Sequence, residues 1–348
     1  MAASDKFKKL ATANGRQISC KIEVGDKTYF DDRILYFNLS DVTHPDWFTI
    51  GTTCSNEFSF KIIHYEKPEL QTIVKPYVSF DGNEWFLLGI FYVSRRYVRG
   101  KYATIVCYDK MNSLGVPLSD GITDEEFSHT DTLLNAVCGQ VGIKFDGTCQ
   151  RHAAFKPKKD VTVRNVIGYI AAMNCACAKI DKNGALVFRK YAQTPDENTQ
   201  RLSVNNCYHV NRNITRAFIA GVRVNTGEEI LHYGEHSGPS TIDLTNPFMT
   251  QSLLNTLGRQ LRPFYFYGAE IKMQALPFLE TGEFIQLEYA NGSLTPLVIS
   301  EIKYHYDGEF TAEFFSKNKY VSDPPVGKQA FENEIAKLWE FVYEKHPE

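Results

Sequence analysis

The sequence predicts a mainly β fold: two β-barrel or sandwich modules flanking a small α+β domain, with a helix at the C-terminal end. Three observations carry this. Short segments of alternating apolar and polar residues, punctuated by Gly, Asn and Asp, fill residues 18–115 and 201–320. Helical spacing of apolar residues is concentrated between residues 116 and 200. A three-strand meander is written twice. In the first copy, Tyr77–Phe80 enters an Asp81-Gly82 turn, Trp85–Val93 follows, and a third strand opens on Gly100. In the second, Phe284–Tyr289 enters Asn291-Gly292, Leu294–Ser300 follows, and Gly308 opens the third. Asp-Gly and Asn-Gly suit tight hairpins because both central residues need positive φ. The spacings Gly82 to Gly100 and Gly292 to Gly308 are 18 and 16 residues. Two similar β modules suggest a construction element rather than a single active site, although any two meanders share this grammar.

Taken in order, residues 1–17 are polar and read as a loose arm. Ile18, Cys20, Ile22 and Val24 alternate with polar neighbours as a half-buried strand, and Gly25-Asp26 turns the chain back. Further strands are expected at 34–39, 47–50, 57–63, 74–80, 85–93 and 101–108. In the 116–200 domain, Thr130 is the expected cap of a helix carrying Leu133, Leu134, Val137 and Val141 on one face, stopped by Gly142. A second helix, Val163 to Asn174, leads into a hairpin around Asn183-Gly184, and 195–200 reads as a linker. The β pattern returns at 207–212, 216–225, 229–233, 264–275, 283–290, 294–305 and 308–316. One helix interrupts it, with Asn246 as the expected cap, Pro247 in the first turn and Leu253, Leu254, Leu257 and Leu261 as its stripe. Residues 321–348 contain a Pro-Pro break, after which Lys328 to Lys345 reads as a helix candidate.

Composition narrows the function. The 348 residues are 43% hydrophobic and 23% charged with net charge −3, ordinary for a globular chain of two or three domains. No clustered basic face argues for nucleic-acid specificity. No apolar run is long enough to span a bilayer, and no apolar core follows the basic N-terminus as a secretory signal requires. Eight cysteines scattered through apolar segments suit buried thiols better than a disulfide framework.

Chemistry is hard to find. No G-x-S-x-G, phosphate loop, G-x-G-x-x-G or H-E-x-x-H is present. His232 and His236 have the spacing of helical metal ligands, but Gly234 and Gly238-Pro239 make a solvated loop the simpler reading. Cys175 and Cys177 would share a strand face and pack there, without a second ligand pair. Asp124, Glu125 and Glu126 fit a solvated helix start better than a catalytic pair. Phe264-Tyr-Phe-Tyr267 could stack a sugar ring, or divide between core and subunit contact. No catalytic residue, cofactor site or metal site is therefore assigned. The C-terminal helix is more informative: Phe331, Ile335, Leu338 and Val342 are spaced four, three and four apart, as in an oligomerisation seam. That seam spans under two heptads, so the helix either self-associates at a molecular axis or docks on its own domain.

Three segments resemble phage tail baseplate hubs, also called tail-associated proteins: Gly51-Thr-Thr-Cys-Ser-Asn-Glu-Phe-Ser-Phe-Lys-Ile, Phe127 to Ile143, and Val161 to Leu186 with its Thr-x-Arg helix and hairpin. The likeness covers the layout of residues 18–320. It implies two tail-tube-like β modules around an α+β insert, in a homotrimer whose six modules make a pseudo-sixfold ring. Such a ring adapts a sixfold tail tube to a threefold tip or spike, at the tail tip of a phage, prophage or phage-derived particle made in the bacterial cytoplasm. Implied partners are the chain itself, a tail tube or distal tail protein, a tip, spike or fibre protein and the tape measure protein. No enzymatic domain is expected. The alternatives are a receptor- or carbohydrate-binding module of the same particle and a cell-wall hydrolase.

Overall fold

The computed structural model describes residues 3–13, 15–44, 46–63, 68–153, 156–157, 160–190 and 199–317, with the side chains of 213–215 left aside. It opens on helix α1 (Asp5–Ala11), where the Ser4 hydroxyl accepts a hydrogen bond from the Phe7 amide at 3.0 Å. Phe7 is buried between Phe80 and Phe86, with ring centroids 5.0 and 4.9 Å away. The stretch expected to be a loose arm is thus pinned by one aromatic anchor, too few apolar residues to register as periodicity.

Strands β1 (Ser19–Val24), β2 (Lys27–Phe30), β3 (Ile34–Val42), β4 (Glu57–Ile63), β5 (Ile73–Ser79), β6 (Phe86–Leu87), β7 (Phe91–Arg99) and β8 (Tyr102–Tyr108) build the first β region. The insert contains α2 (Asp120–Asp124), α3 (Thr130–Gln140), α4 (Val163–Met173) and the hairpin of β9 (Ala176–Ile180) and β10 (Leu186–Lys190). Strands β11 (Gln200–Ser203), β12 (Cys207–Phe218), β13 (Gly221–Asn225), β14 (Ile230–Gly234) and β15 (Thr241–Thr245) precede α5 (Gln251–Leu261). The chain continues through β16 (Tyr265–Gln274), β17 (Phe284–Glu288), β18 (Leu294–Val298), β19 (Glu301–Tyr306) and β20 (Phe310–Ser316).

Twelve strands share one sheet, in the order β12-β16-β20-β19-β3-β4-β8-β7-β5-β1-β2, with β6 paired to β5. A four-strand order is repeated within it. β3-β4-β8-β7 and β12-β16-β20-β19 have the same pattern of chain neighbours, and all their internal pairings are antiparallel. Of the meander read twice in the sequence, only the closing strands, β7-β8 and β19-β20, belong to this repeat; its opening strands differ, since β5 stays in the large sheet while β17 and β18 form a separate sheet with β11. The meander's middle strand is broken in both copies: β6 gives way to β7, and β18 to β19. The two repeats join where β19 pairs β3, with Tyr304 opposite Leu39 and Tyr306 opposite Phe37. One core underlies both, including Phe37, Phe58, Phe60 and Ile105 from the first and Ile302, Phe310 and Phe314 from the second. Alternating burial along β4 and β20 leaves one face of each strand in this core and turns the other toward polar surroundings.

Two smaller sheets accompany it, β11-β17-β18 and β14-β13-β15. The second packs with α5, Phe48 and Ile50 into a separate cluster, and α3, α4, β9 and β10 enclose a third. Several local expectations change. Residues 47–50 form no strand; Phe48 and Ile50 are buried as irregular chain, and the Gly51 amide donates to the Ala176 carbonyl at 2.8 Å. Cap positions also move. His129, not Thr130, precedes α3, while the Thr130 hydroxyl donates to the Gln150 carbonyl. Thr250 caps α5, and Asn246 instead accepts from the Phe248 amide and donates to the Tyr169 carbonyl. Strands β11 and β15 have no counterpart in the expected list. Thr162 caps α4 with Asn165 in a reciprocal capping box, matching the expected start of that helix.

Candidate functional site: open strand edges and a buried ionic junction

The structure disperses the residues considered for chemistry. His232 lies on β14 and His236 just beyond it, so the helical spacing is void; their rings sit 4.3 Å apart, and His232 Nδ1 is buried without a partner. Among the described residues, no three His, Cys, Asp or Glu side chains gather to hold a metal ion. None of the eight cysteines is in a disulfide, and burial pushes the thiols of Cys54 and Cys175 up to about 12. Asp124 closes the short α2, with Glu125 as its C-cap rather than as part of a helix start. Phe264 and Phe266 are buried, while the Arg216 and Arg212 guanidiniums lie over Tyr265 and Tyr267, 5.1 and 5.6 Å from the ring centroids. Each guanidinium occupies one face of its tyrosine ring. Phe331, Ile335, Leu338 and Val342 lie outside the described residues. No described helix is long and apolar enough to cross a membrane.

A buried ionic cluster forms instead where the insert meets both β repeats. Lys179 on β9 donates to both carboxylate oxygens of Asp41 on β3 at 2.9 and 3.0 Å, and to the Thr281 hydroxyl at 2.8 Å. Thr281 in turn donates to Asp41 at 2.9 Å. Burial alone would disfavour the Asp41 carboxylate, but the Lys179 charge and these hydrogen bonds outweigh it and hold its pKa below the usual value. From the same hairpin, Lys182 donates to the Pro277 carbonyl at 2.6 Å, and Arg189 pairs with Glu280. Burial lowers the Lys182 pKa to about 8. The space enclosed here is about 20 Å³, lined by Asp41, Asp109, Lys179, Lys182, Glu280 and Tyr304, enough for a water and not for a substrate. The cluster is a three-way structural joint. Sequence reasoning passed over it because the partners are up to 240 positions apart in the chain.

The other distinctive feature is an open backbone edge on β7 and on β12, in addition to β2, which ends the sheet on its other side. β7 touches β5 only near its start, at Ile73 opposite Tyr92 and Val74 opposite Phe91, followed by hydrogen bonds between Val93 and residues 71–72. Beyond Val93, β7 pairs with β8 alone among the described strands. β12 likewise pairs only with β16. Both edges carry exposed apolar side chains: Tyr97 and Val98 on β7 are 59% and 52% exposed, and Tyr208 on β12 is 58% exposed. Long apolar edges are rare on monomers because they invite another strand.

No family model matches the chain, and no curated protein matches it. Solved structures do. A 43 kDa tail protein of prophage MuSo2 from Shewanella oneidensis aligns with a TM-score of 0.57 at 13% identity, over 86% of this chain and 98% of that one. A tail protein from Neisseria meningitidis MC58 aligns with a TM-score of 0.59 at 9% identity, over 86% and 96%. The chain has the fold of these phage tail proteins, a β-rich architecture shared along nearly their whole length.

Proposed function

We propose that this protein is a structural hub at the distal end of a phage or phage-like tail, acting as a homotrimer and not as an enzyme. Three copies would contribute six β repeats to a ring that meets a sixfold tail tube or distal tail protein on one side and a threefold tip, spike or fibre on the other. The particle would be assembled from protein made in the bacterial cytoplasm, with the tape measure protein as a further neighbour.

The observation that carries this reading is the way the two repeats already join inside one chain. β19, the outer strand of the second repeat, pairs with β3, the outer strand of the first. Its equivalent in the first repeat is β7, and the equivalent of β3 in the second is β12. Both have an open edge, β12 at one end of the sheet and β7 beyond Val93. A contact that recurs head to tail, with the same edges left over, generates a closed ring when the rotation allows it. A repeat of this pairing would bring the end of β7, with Tyr97 and Val98, alongside the start of β12, with Tyr208, of the next copy. Apolar residues left exposed in one chain would thereby cover one another. The fold shared with tail proteins supports the same reading.

The C-terminal seam of Phe331, Ile335, Leu338 and Val342 would lie near the ring axis and add three-helix contacts. Light scattering on the purified full-length chain tests the proposal: a mass of three chains is expected, and a strict monomer at every concentration overturns it. Replacing all four seam residues with Lys is expected to weaken the trimer without abolishing the fold. An unchanged trimer affinity would remove the seam from the proposed assembly.

A further inference from the structure

The turns joining the last two strands of each repeat are equivalent in position and opposite in charge. Between β7 and β8 the chain reads Gly100-Lys101, with Arg99 the last residue of β7; between β19 and β20 it reads Asp307-Gly308-Glu309. Both glycines have positive φ, +59° and +107°, so both turns use the left-handed conformation that glycine supplies. All six residues are exposed. Each turn closes the same strand pair at the same end of the common sheet, two strands apart across β3 and β4.

Resting on the ring reading above, we infer that this rim is a docking surface for a second copy of itself, with two rings meeting rim to rim, basic turn on acidic turn. Around a ring of three chains the turns alternate, basic and acidic, six times. A twofold axis lying in the plane of contact and passing between adjacent turns carries each basic turn onto an acidic one. All six contacts are then attractive at once. The rim is therefore complementary to itself, whereas a partner with six identical charged contacts is repelled at three. Single exposed ion pairs contribute little, but six turn-on-turn contacts held by two rigid rings act together. Their strength falls with salt, since the screening length shrinks from about 10 Å at 0.1 M to about 3 Å at 1 M.

The test uses the full-length protein alone. Mass photometry is expected to find six-chain particles at low salt that split into three-chain particles near 1 M salt. The variant R99E/K101E makes all six turns acidic and is expected to remain trimeric at every salt concentration. The four-fold swap R99D/K101E/D307R/E309K inverts the pattern without destroying it and is expected to restore the six-chain particle. Trimers at all salt concentrations in the unaltered protein overturn this inference and leave the ring intact. Monomers throughout overturn both. Six-chain particles that persist in R99E/K101E also overturn it, because the contact would then lie elsewhere.

Discussion

At the scale of single residues, the buried charges decide what the molecule tolerates. Lys179 and Asp41 are 4% and 8% exposed, and each satisfies the other. Removing one partner strands a buried charge. Lys179→Met is expected to lower stability by about 3–5 kcal/mol, and adding Asp41→Leu is expected to recover most of it. Denaturant titration measures both. Since the Asp41 pKa is depressed in the folded state, its contribution is present at neutral pH and lost as acid protonates it below about 3.9. Asp109 has the opposite sign. Burial raises its pKa to about 6, although it accepts hydrogen bonds from Ser55, the Asn56 amide and the Met111 amide. The folded state therefore holds this proton more tightly than the unfolded chain does. Stability from this group falls as pH rises from about 4 to 6 and then levels off, a cost of roughly 3 kcal/mol. Buried His44, whose pKa burial lowers to about 3, pushes the other way over the same interval. The difference between unaltered protein and Asp109→Asn, followed by chemical denaturation from pH 4 to 7, isolates the Asp109 component. A difference that is flat with pH would refute the assignment.

At the scale of elements, close approach matters more than propensity. α4 presses on the 49–53 segment through Gly168, where an added Cβ would fall 2.8 Å from the Gly51 carbonyl oxygen. Gly168→Ala is expected to cost about 1–3 kcal/mol by forcing the two backbones apart. Gly139 on α3 meets nothing within 4 Å, and Gly139→Ala is expected to stabilise by up to about 1 kcal/mol through helix propensity alone. Thermal melts of the two variants should move in opposite directions. Sequence pattern located both helices, because α4 buries Val166, Ile167 and Ile170 and α3 buries Leu133, Leu134 and Val137 at helical spacing. It did not reveal β15, a short strand made parallel to β13 only by the surrounding fold, and it put a strand at 47–50 where burial proceeds without pairing.

At the scale of the whole molecule, the expected behaviour follows from the open edges of β7 and β12. Val98→Glu or Tyr208→Glu places a charge on an exposed position, so the monomer should keep its melting temperature while the trimer dissociates. Light scattering beside thermal denaturation separates these outcomes; a stable trimer in both variants would show that β7 and β12 do not meet. These edges were not legible beforehand. β7 alternates apolar and polar residues at its start much as paired β4 does, and nothing in a strand's own pattern states whether its far side is occupied.

By itself, the sequence determined the mainly β class, the two repeats around an α+β insert, and where several hairpins turn. Each of these is written in local periodicity and in residues that set φ. The turn type came out differently, since Gly82, Gly184 and Gly292 have positive φ but Asp81, Asn183 and Asn291 do not, and the loops are longer than two residues. The tertiary structure alone decided that β19 lies against β3, that Lys179 finds Asp41, and that β12 and the far end of β7 keep an open backbone edge. Those outcomes depend on contacts between residues far apart in the chain, where burial and pairing are settled by the neighbours a segment meets and not by its own composition.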